Sequence, residues 1–109
     1  KSYDGFAPMG PCIVTPDELD DIRNLRLTAT VDGEIMQDGN TRDMIFDIPA
    51  IIENISCDIT LEPGDIISTG TPAGVGIFRD PPVTLKPGNV VECVVEGIGA
   101  IRNRFILNE

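Results

Sequence analysis

The stretch Ser68–Thr69–Gly70–Thr71–Pro72–Ala73–Gly74–Val75–Gly76–Ile77 sets hydroxyl side chains among three glycines, directly after the apolar pair Ile66–Ile67. Residues in this pattern suit one of two tasks. Exposed backbone N–H groups and a threonine hydroxyl can replace water around a carboxylate or phosphate. The alternative is a plain turn, which glycine–proline segments most often are. A phosphate loop of the Walker type needs a Gly-Lys-Ser/Thr step and a following helix. Neither is present, so nucleotide binding is not expected, and a small carboxylate is the fitting anion.

Other reactive residue types are sparse. Lys1 precedes the proline- and glycine-rich "SYDGFAPMGP", where it is either a solvated surface charge or a cation at the mouth of a loop. Asp17, Glu18, Asp20 and Asp21 lack the glycine and closing glutamate of a calcium loop and fit a solvated face better. Asp43 and Asp47, with Gln37, Asn40 and Thr41, form a polar group between a hairpin and a helix. It would line a pocket or simply cap the helix. Histidine is absent, so proton transfer would fall to a carboxylate, a lysine, the tyrosine, water, or a base supplied from elsewhere.

The elements that must position these residues follow from period and punctuation. "TPDELDD" is a capping-box pattern with proline at the first helical position and predicts a brief helix after Thr15. Leu25, Leu27, Ala29 and Val31 alternate with Arg26, Thr28 and Thr30, the period of a half-buried strand. Asp32–Gly33 is a hairpin turn signal, with Glu34–Gln37 as the return strand. A turn is expected at Asn40–Asp43, then a helix from about Asp47 to Asn54, with Asp47 as its cap and Pro49 in its first turn. "LEPGD" and "LKPGN" are matching proline–glycine turns. They predict strands over Asp65–Ser68 and Val90–Glu96, with Ala100–Ile106 running back after Gly97–Gly99. A short strand at Cys12–Thr15 is the most the opening segment allows. The fold class is mainly β (α+β).

Of 109 residues, 41% are hydrophobic and 24% charged, the composition of one globular domain or part of one. A net charge of −10 excludes nucleic acid and anionic membranes as main partners by simple repulsion. No apolar run approaches the roughly 18 residues a membrane span needs, and no signal segment is expected at the start. Cys12, Cys57 and Cys93 are widely spaced and form no zinc motif. They are expected as half-buried thiols in a reducing, cytoplasmic setting. The chain opens without an initiator methionine and is expected to be an inner part of something longer. Several strands look incompletely covered for so small a core, so a partner segment is expected.

At "KSYDGFAPMGP", "GEIMQDGNTRDMIFDIP", "TLEPGDIISTGTPAGVG" and "LKPGNVVECVVEGIGAIRN", in this order, the chain resembles the fumarylacetoacetate hydrolase family. The likeness is closest to its bacterial 2-hydroxyhepta-2,4-diene-1,7-dioate isomerases, acylpyruvate hydrolases and oxaloacetate decarboxylases. The resemblance implies a mixed β-sandwich roll with one short helix, usually a homodimer. Such an enzyme binds Mg²⁺ or Mn²⁺ and a small 2-oxo dicarboxylate or acylpyruvate-like substrate, and works through a metal-bound enolate in hydrolysis, isomerisation or decarboxylation, as in aromatic-compound catabolism. It implies that Lys1 is the active-site lysine, with Gly5 in the loop closing beside it. Thr71, with Gly70 beside it, matches the threonine that hydrogen-bonds the substrate carboxylate, which turns the reading of residues 68–77 toward an anion seat. The family's metal ligands, a Glu-x-Glu pair and an aspartate, lie upstream of the lysine, and this chain has no Glu-x-Glu. Residues 1–109 therefore correspond to the C-terminal part of a single catalytic domain. No metal ligand is expected in this chain, and an upstream segment or second chain would complete the site. Alone the chain is expected to be inactive. The other reading is a catalytically inactive module that keeps the fold for dimerisation or partner binding.

Overall fold

A computed structural model describes residues 3–107. In chain order the strands and helix are β1 (Arg26–Val31), β2 (Glu34–Asn40), α1 (Ile48–Ser56), β3 (Val90–Val95) and β4 (Gly99–Arg104). Single 3₁₀ turns occupy Pro16–Glu18, Thr41–Asp43 and Gly76–Phe78. The strands form one four-stranded sheet in the order β2-β1-β3-β4, antiparallel throughout. The fold is mainly antiparallel β with one helix, as the sequence predicts.

The β1–β2 hairpin closes on Asp32 and Gly33, both at positive φ (50° and 87°), as the tight turns matching strand twist require. The Asp32 carboxylate also ties this hairpin to the start of β3. It accepts from Val90 N at 2.8 Å and from Asn89 Nδ2 at 2.6 Å. The Val90 N–H, and then the Asn89 amide, hold the Asp32 carboxyl below the ordinary aspartate range.

One irregularity sets the functional geometry. In β2, Ile35 pairs with Thr30 and Gln37 pairs with Ala29, leaving Met36 as an extra residue. This β-bulge corrects the phase of the strand. Without it the register set by the hairpin turn would put Met36 opposite Ala29, and Gln37 would face the other side of the sheet.

Residues directly opposite one another share a face. One cross-strand row reads Gly39, Leu27, Val95, Gly99, and the next reads Gln37, Ala29, Cys93, Ile101. This face is apolar. The other carries Thr28 and the Arg26–Asp38 ion pair, whose Nη2 to Oδ2 distance is 2.7 Å.

Helix α1 begins where its cap dictates. The Asp47 side chain accepts from Ala50 N at 3.0 Å and Pro49 sits in the first turn, where a missing N–H costs nothing. Two expectations fail. Asp65–Ser68 is not a strand, because no neighbour pairs with it among the described residues. The three thiols are free and exposed rather than half-buried. Cys12–Thr15, where a short strand was the most expected, is irregular, and the capping box at Thr15 starts a brief element, the three-residue 3₁₀ turn.

None of the described residues is fully buried, and large apolar side chains stand in the open, Ile45 at 92% and Phe78 at 87% exposure. The accessible surface is 8871 Å², against about 5900 Å² for a compact monomer of this mass. The radius of gyration, 15.5 Å, likewise exceeds the ~13 Å of a compact domain of about 100 residues. The sheet is one layer of an architecture that needs a second to make a core.

Candidate functional site: the glycine-rich loop on strand β2

Residues 68–77 leave the proline–glycine turn at Pro63–Gly64 and run over the apolar face of edge strand β2. Two glycines allow the close approach. A side chain at Gly39 would stand 2.7 Å from Pro72 Cβ. Gly74, at φ +106°, lies so close to the Met36 carbonyl oxygen that any Cβ there would collide with it.

Two side chains then fasten the loop. Gln37 Nε2 donates to Pro72 O at 2.7 Å and to Thr71 Oγ1 at 2.8 Å. From the loop's far end, Arg79 Nη2 donates to Met36 O at 2.5 Å, and its Nε donates to Gly74 O at 3.1 Å. The bulge residue thus supplies the carbonyl that receives the arginine. Both Gln37 and Arg79 are half-buried, whereas Ser68, Thr69, Gly70 and Thr71 are exposed. The loop has a fixed underside and an open top.

The local charge is notable for a chain at −10. Among the described residues Arg79 forms no ion pair; its guanidinium meets carbonyls only. A neutral acceptor satisfies the donors without cancelling the charge, so Arg79 leaves an unneutralised cation beside Gly74 and Met36.

The structure places the other expected site residues as follows. Lys1 lies outside the described residues. Gly5, at φ +76°, occupies the exposed turn in which Phe6 N donates to Tyr3 O at 3.1 Å. The segment that follows lies on β4: a side chain at Gly99 would stand 3.1 Å from Pro11 Cγ, and one at Gly10 would meet Ile101 Cδ1 at 3.7 Å. Gly39 and Gly99 share a row and therefore a face, so the two glycine-rich loops flank one face from its opposite margins. Three interstrand spacings, about 14 Å, separate the strands that carry them.

The polar group around Asp43 and Asp47 resolves into caps. Asn40 accepts from Arg42 N at 3.0 Å, Thr41 Oγ1 accepts from Leu25 N at 2.9 Å, and Asp47 caps α1. Asp47 borders a cavity of about 180 Å³ with Ile22, Met44 and Ile48, while Asp43 borders a separate one of about 260 Å³. Gln37 alone of that group belongs to the loop. In the acidic run, Glu18 accepts from Thr15 N at 3.1 Å and Asp21 from Arg23 N at 2.9 Å. Among the described residues no three metal-ligating side chains are grouped together. No helix among them is long and apolar enough to cross a membrane. Sequence reasoning missed Arg79. Its signal is a cation three residues past the last glycine of the loop in an acidic chain.

Residues 1–106 match the family model of the fumarylacetoacetate (FAA) hydrolase C-terminal region. The chain belongs to the fumarylacetoacetate hydrolase family. The mitochondrial oxaloacetate tautomerase FAHD2A of Bos taurus is 48% identical over 106 residues, covering 97% of this chain and 34% of that protein. Fumarylacetoacetate hydrolase from Exiguobacterium antarcticum superposes with a TM-score of 0.95 at 44% identity, over 99% of this chain and 39% of that one. Maleylpyruvate hydrolase from Sphingobium sp. SYK-6, in complex with manganese(II) and pyruvate, superposes at 0.87 with 38% identity, over 98% of this chain and 38% of that one. The chain thus spans about a third of the length of the curated fumarylacetoacetate hydrolase relatives it matches.

Proposed function

We propose that the chain is the C-terminal part of a divalent-metal-dependent enzyme acting on small 2-oxo acids, with residues 68–77 as the seat of the substrate carboxylate. One arrangement carries the reading. The Thr71 hydroxyl is exposed at the top of a loop whose underside is pinned by Gln37 and by an arginine without a carboxylate partner. Rigid placement of a hydroxyl donor near an arginine that meets carbonyls only suits a carboxylate oxygen and costs no reorganisation when it arrives. The related oxaloacetate tautomerase and the pyruvate-bound maleylpyruvate hydrolase support the substrate class, since oxaloacetate, maleylpyruvate and pyruvate all set a carboxylate beside a carbonyl.

In this reading Thr71 and the Gly70 backbone bind and orient the acid, Gly5 lies in the loop closing over it, and Lys1 steadies negative charge as it develops. Mg²⁺ or Mn²⁺, held by residues outside this chain, would supply Lewis acidity. C–C hydrolysis, isomerisation and decarboxylation share this starting complex, and the breakdown of aromatic compounds is the matching metabolic setting. The three free thiols suit a reducing compartment, for which we propose the cytoplasm although the related tautomerase is mitochondrial, and we propose a homodimer by family likeness.

The test is calorimetric titration of oxalate into the protein completed to the length of its relatives and loaded with Mg²⁺. We expect binding that weakens roughly tenfold or more in Thr71→Val, the loss of one hydrogen bond to a charged group. Binding unchanged by that substitution removes the seat. No binding at all removes the enzyme and leaves an interaction module.

A further inference from the structure

The hydrogen-bond accounting around Thr71 contains information beyond the position of its hydroxyl. Pro72 O is a carbonyl oxygen and can only accept, so the group of Gln37 that faces it at 2.7 Å must be the NH₂ and not the side-chain oxygen. The same nitrogen lies 2.8 Å from Thr71 Oγ1. An amide nitrogen has two hydrogens and no lone pair to offer, so its second hydrogen goes to Oγ1. The threonine oxygen therefore acts as an acceptor toward Gln37, and its own proton has to leave in another direction. Gln37 closes the lower side, where the half-buried amide sits. The exposed side remains.

We infer that Gln37 is a positioning residue that turns Thr71 into an outward-pointing donor, so that the seat selects ligands whose facing atom is a pure acceptor, a carboxylate oxygen above all. The inference rests on the seat reading of residues 68–77 and adds the direction of its hydrogen bond. A freely rotating hydroxyl spends part of its time offering a lone pair outward, which repels a carboxylate. With the amide beneath it that orientation is removed, and the ordering is done before the ligand binds. Gln37 stands on the loop's face of the sheet because the extra residue Met36 is taken up in the bulge and not in the ladder.

The decisive variant is Gln37→Glu in the full-length, Mg²⁺-loaded protein, with oxalate affinity measured by calorimetry across pH. Above the titration of the introduced carboxyl, that group can only accept, so the Thr71 proton turns inward toward it. We expect affinity roughly 10- to 100-fold weaker, the scale of a lost hydrogen bond to a charged group. As pH falls and the carboxyl takes up a proton it regains a donor, and part of the affinity returns relative to the parent protein at the same pH. In a Thr71→Val background Gln37→Glu should cost less than it does in the parent, leaving only the direct repulsion of the new charge, because the rest of its effect runs through one hydroxyl.

Equal affinities for Gln37→Glu and the parent overturn the inference, as does a loss independent of pH or one that multiplies fully with Thr71→Val. Those two patterns are what a merely structural glutamine would give. Should Gln37→Glu lower the melting temperature enough to obscure binding, Gln37→Met deletes the donor without adding charge. We then expect a loss of a few fold, and its absence overturns the inference. A Thr71→Val protein that binds oxalate like the parent is a different failure, that of the seat itself.

Discussion

On β2, Pro72 presses on Gly39; on β4, Pro11 presses on Gly99, in the same row of the same face. The two contacts look like one device used twice, yet the loops above them are held differently. Over β2, Gln37 and Arg79 add four polar contacts that fix the loop in three dimensions. Over β4, the opening segment has apolar contact with Gly99 and Ile101 and a long contact from Cys12 Sγ to Ile98 O at 3.7 Å. Apolar contact holds a segment near a surface without fixing its orientation, whereas directed bonds to carbonyls fix both. The difference separates a loop that presents a group from one that covers a surface.

The comparison breaks most readily at Gly74. Gly74→Ala combines a strained positive φ with a collision on Met36 O. We expect about 3 kcal/mol of destabilisation and loss of oxalate binding, read by urea denaturation and calorimetry on the full-length protein. Arg79→Met should follow at about 2 kcal/mol, since it strips two carbonyls of a charged donor; Arg79→Lys, with a point charge in place of a fork, restores only part.

The paired substitutions Gly39→Ala and Gly99→Ala sharpen the contrast. Both crowd a proline, but only Gly39→Ala moves the Thr71 loop. Oxalate affinity should fall several-fold in the first and less in the second, while both lower the melting temperature. The smallest effect is expected away from either loop, at Asp32. Its folded-state pKa is depressed by the Val90 N–H and Asn89. Its contribution is therefore present above the ordinary aspartate pKa of about 4 and is lost as pH falls through the folded value. Between pH 7 and 3, Asp32→Asn should flatten part of the decline in urea midpoint and leave oxalate affinity at pH 7 untouched.

How much of this was legible depended on whether the cause was local. The alternation of Leu25 to Val31, the Asp32–Gly33 turn and the Asp47 cap act within a few residues, and each forms where the sequence puts it. The two proline–glycine turns show the limit. In both, the fourth residue returns its N–H to the first and its side chain accepts the first residue's N–H. Asp65 does so to Glu62 and Asn89 to Lys86. Only the second launches a strand, because Val90–Val95 finds β1 and β4 on either side while residues 65–68 find no ladder among the described residues. That outcome depends on what lies alongside, which no window of sequence contains. The reading of the loop as an anion seat came from family resemblance and not from its composition. Its fastenings were not legible, since Gln37 read as one of several polar residues near a helix. The bulge did leave a trace in Ile35–Met36, two apolar residues in succession that spoil the alternation of β2.

That extra residue makes the hairpin and the loop genetically separable. Deleting the codon for Met36 leaves Gln37 opposite Ala29 and Ile35 opposite Thr30, so the ladder loses no pair and becomes regular. What disappears is one carbonyl, the one Arg79 reaches. Selection for pairing alone would tolerate or even favour the shorter strand. A lineage that keeps the insertion is being held to it by the loop.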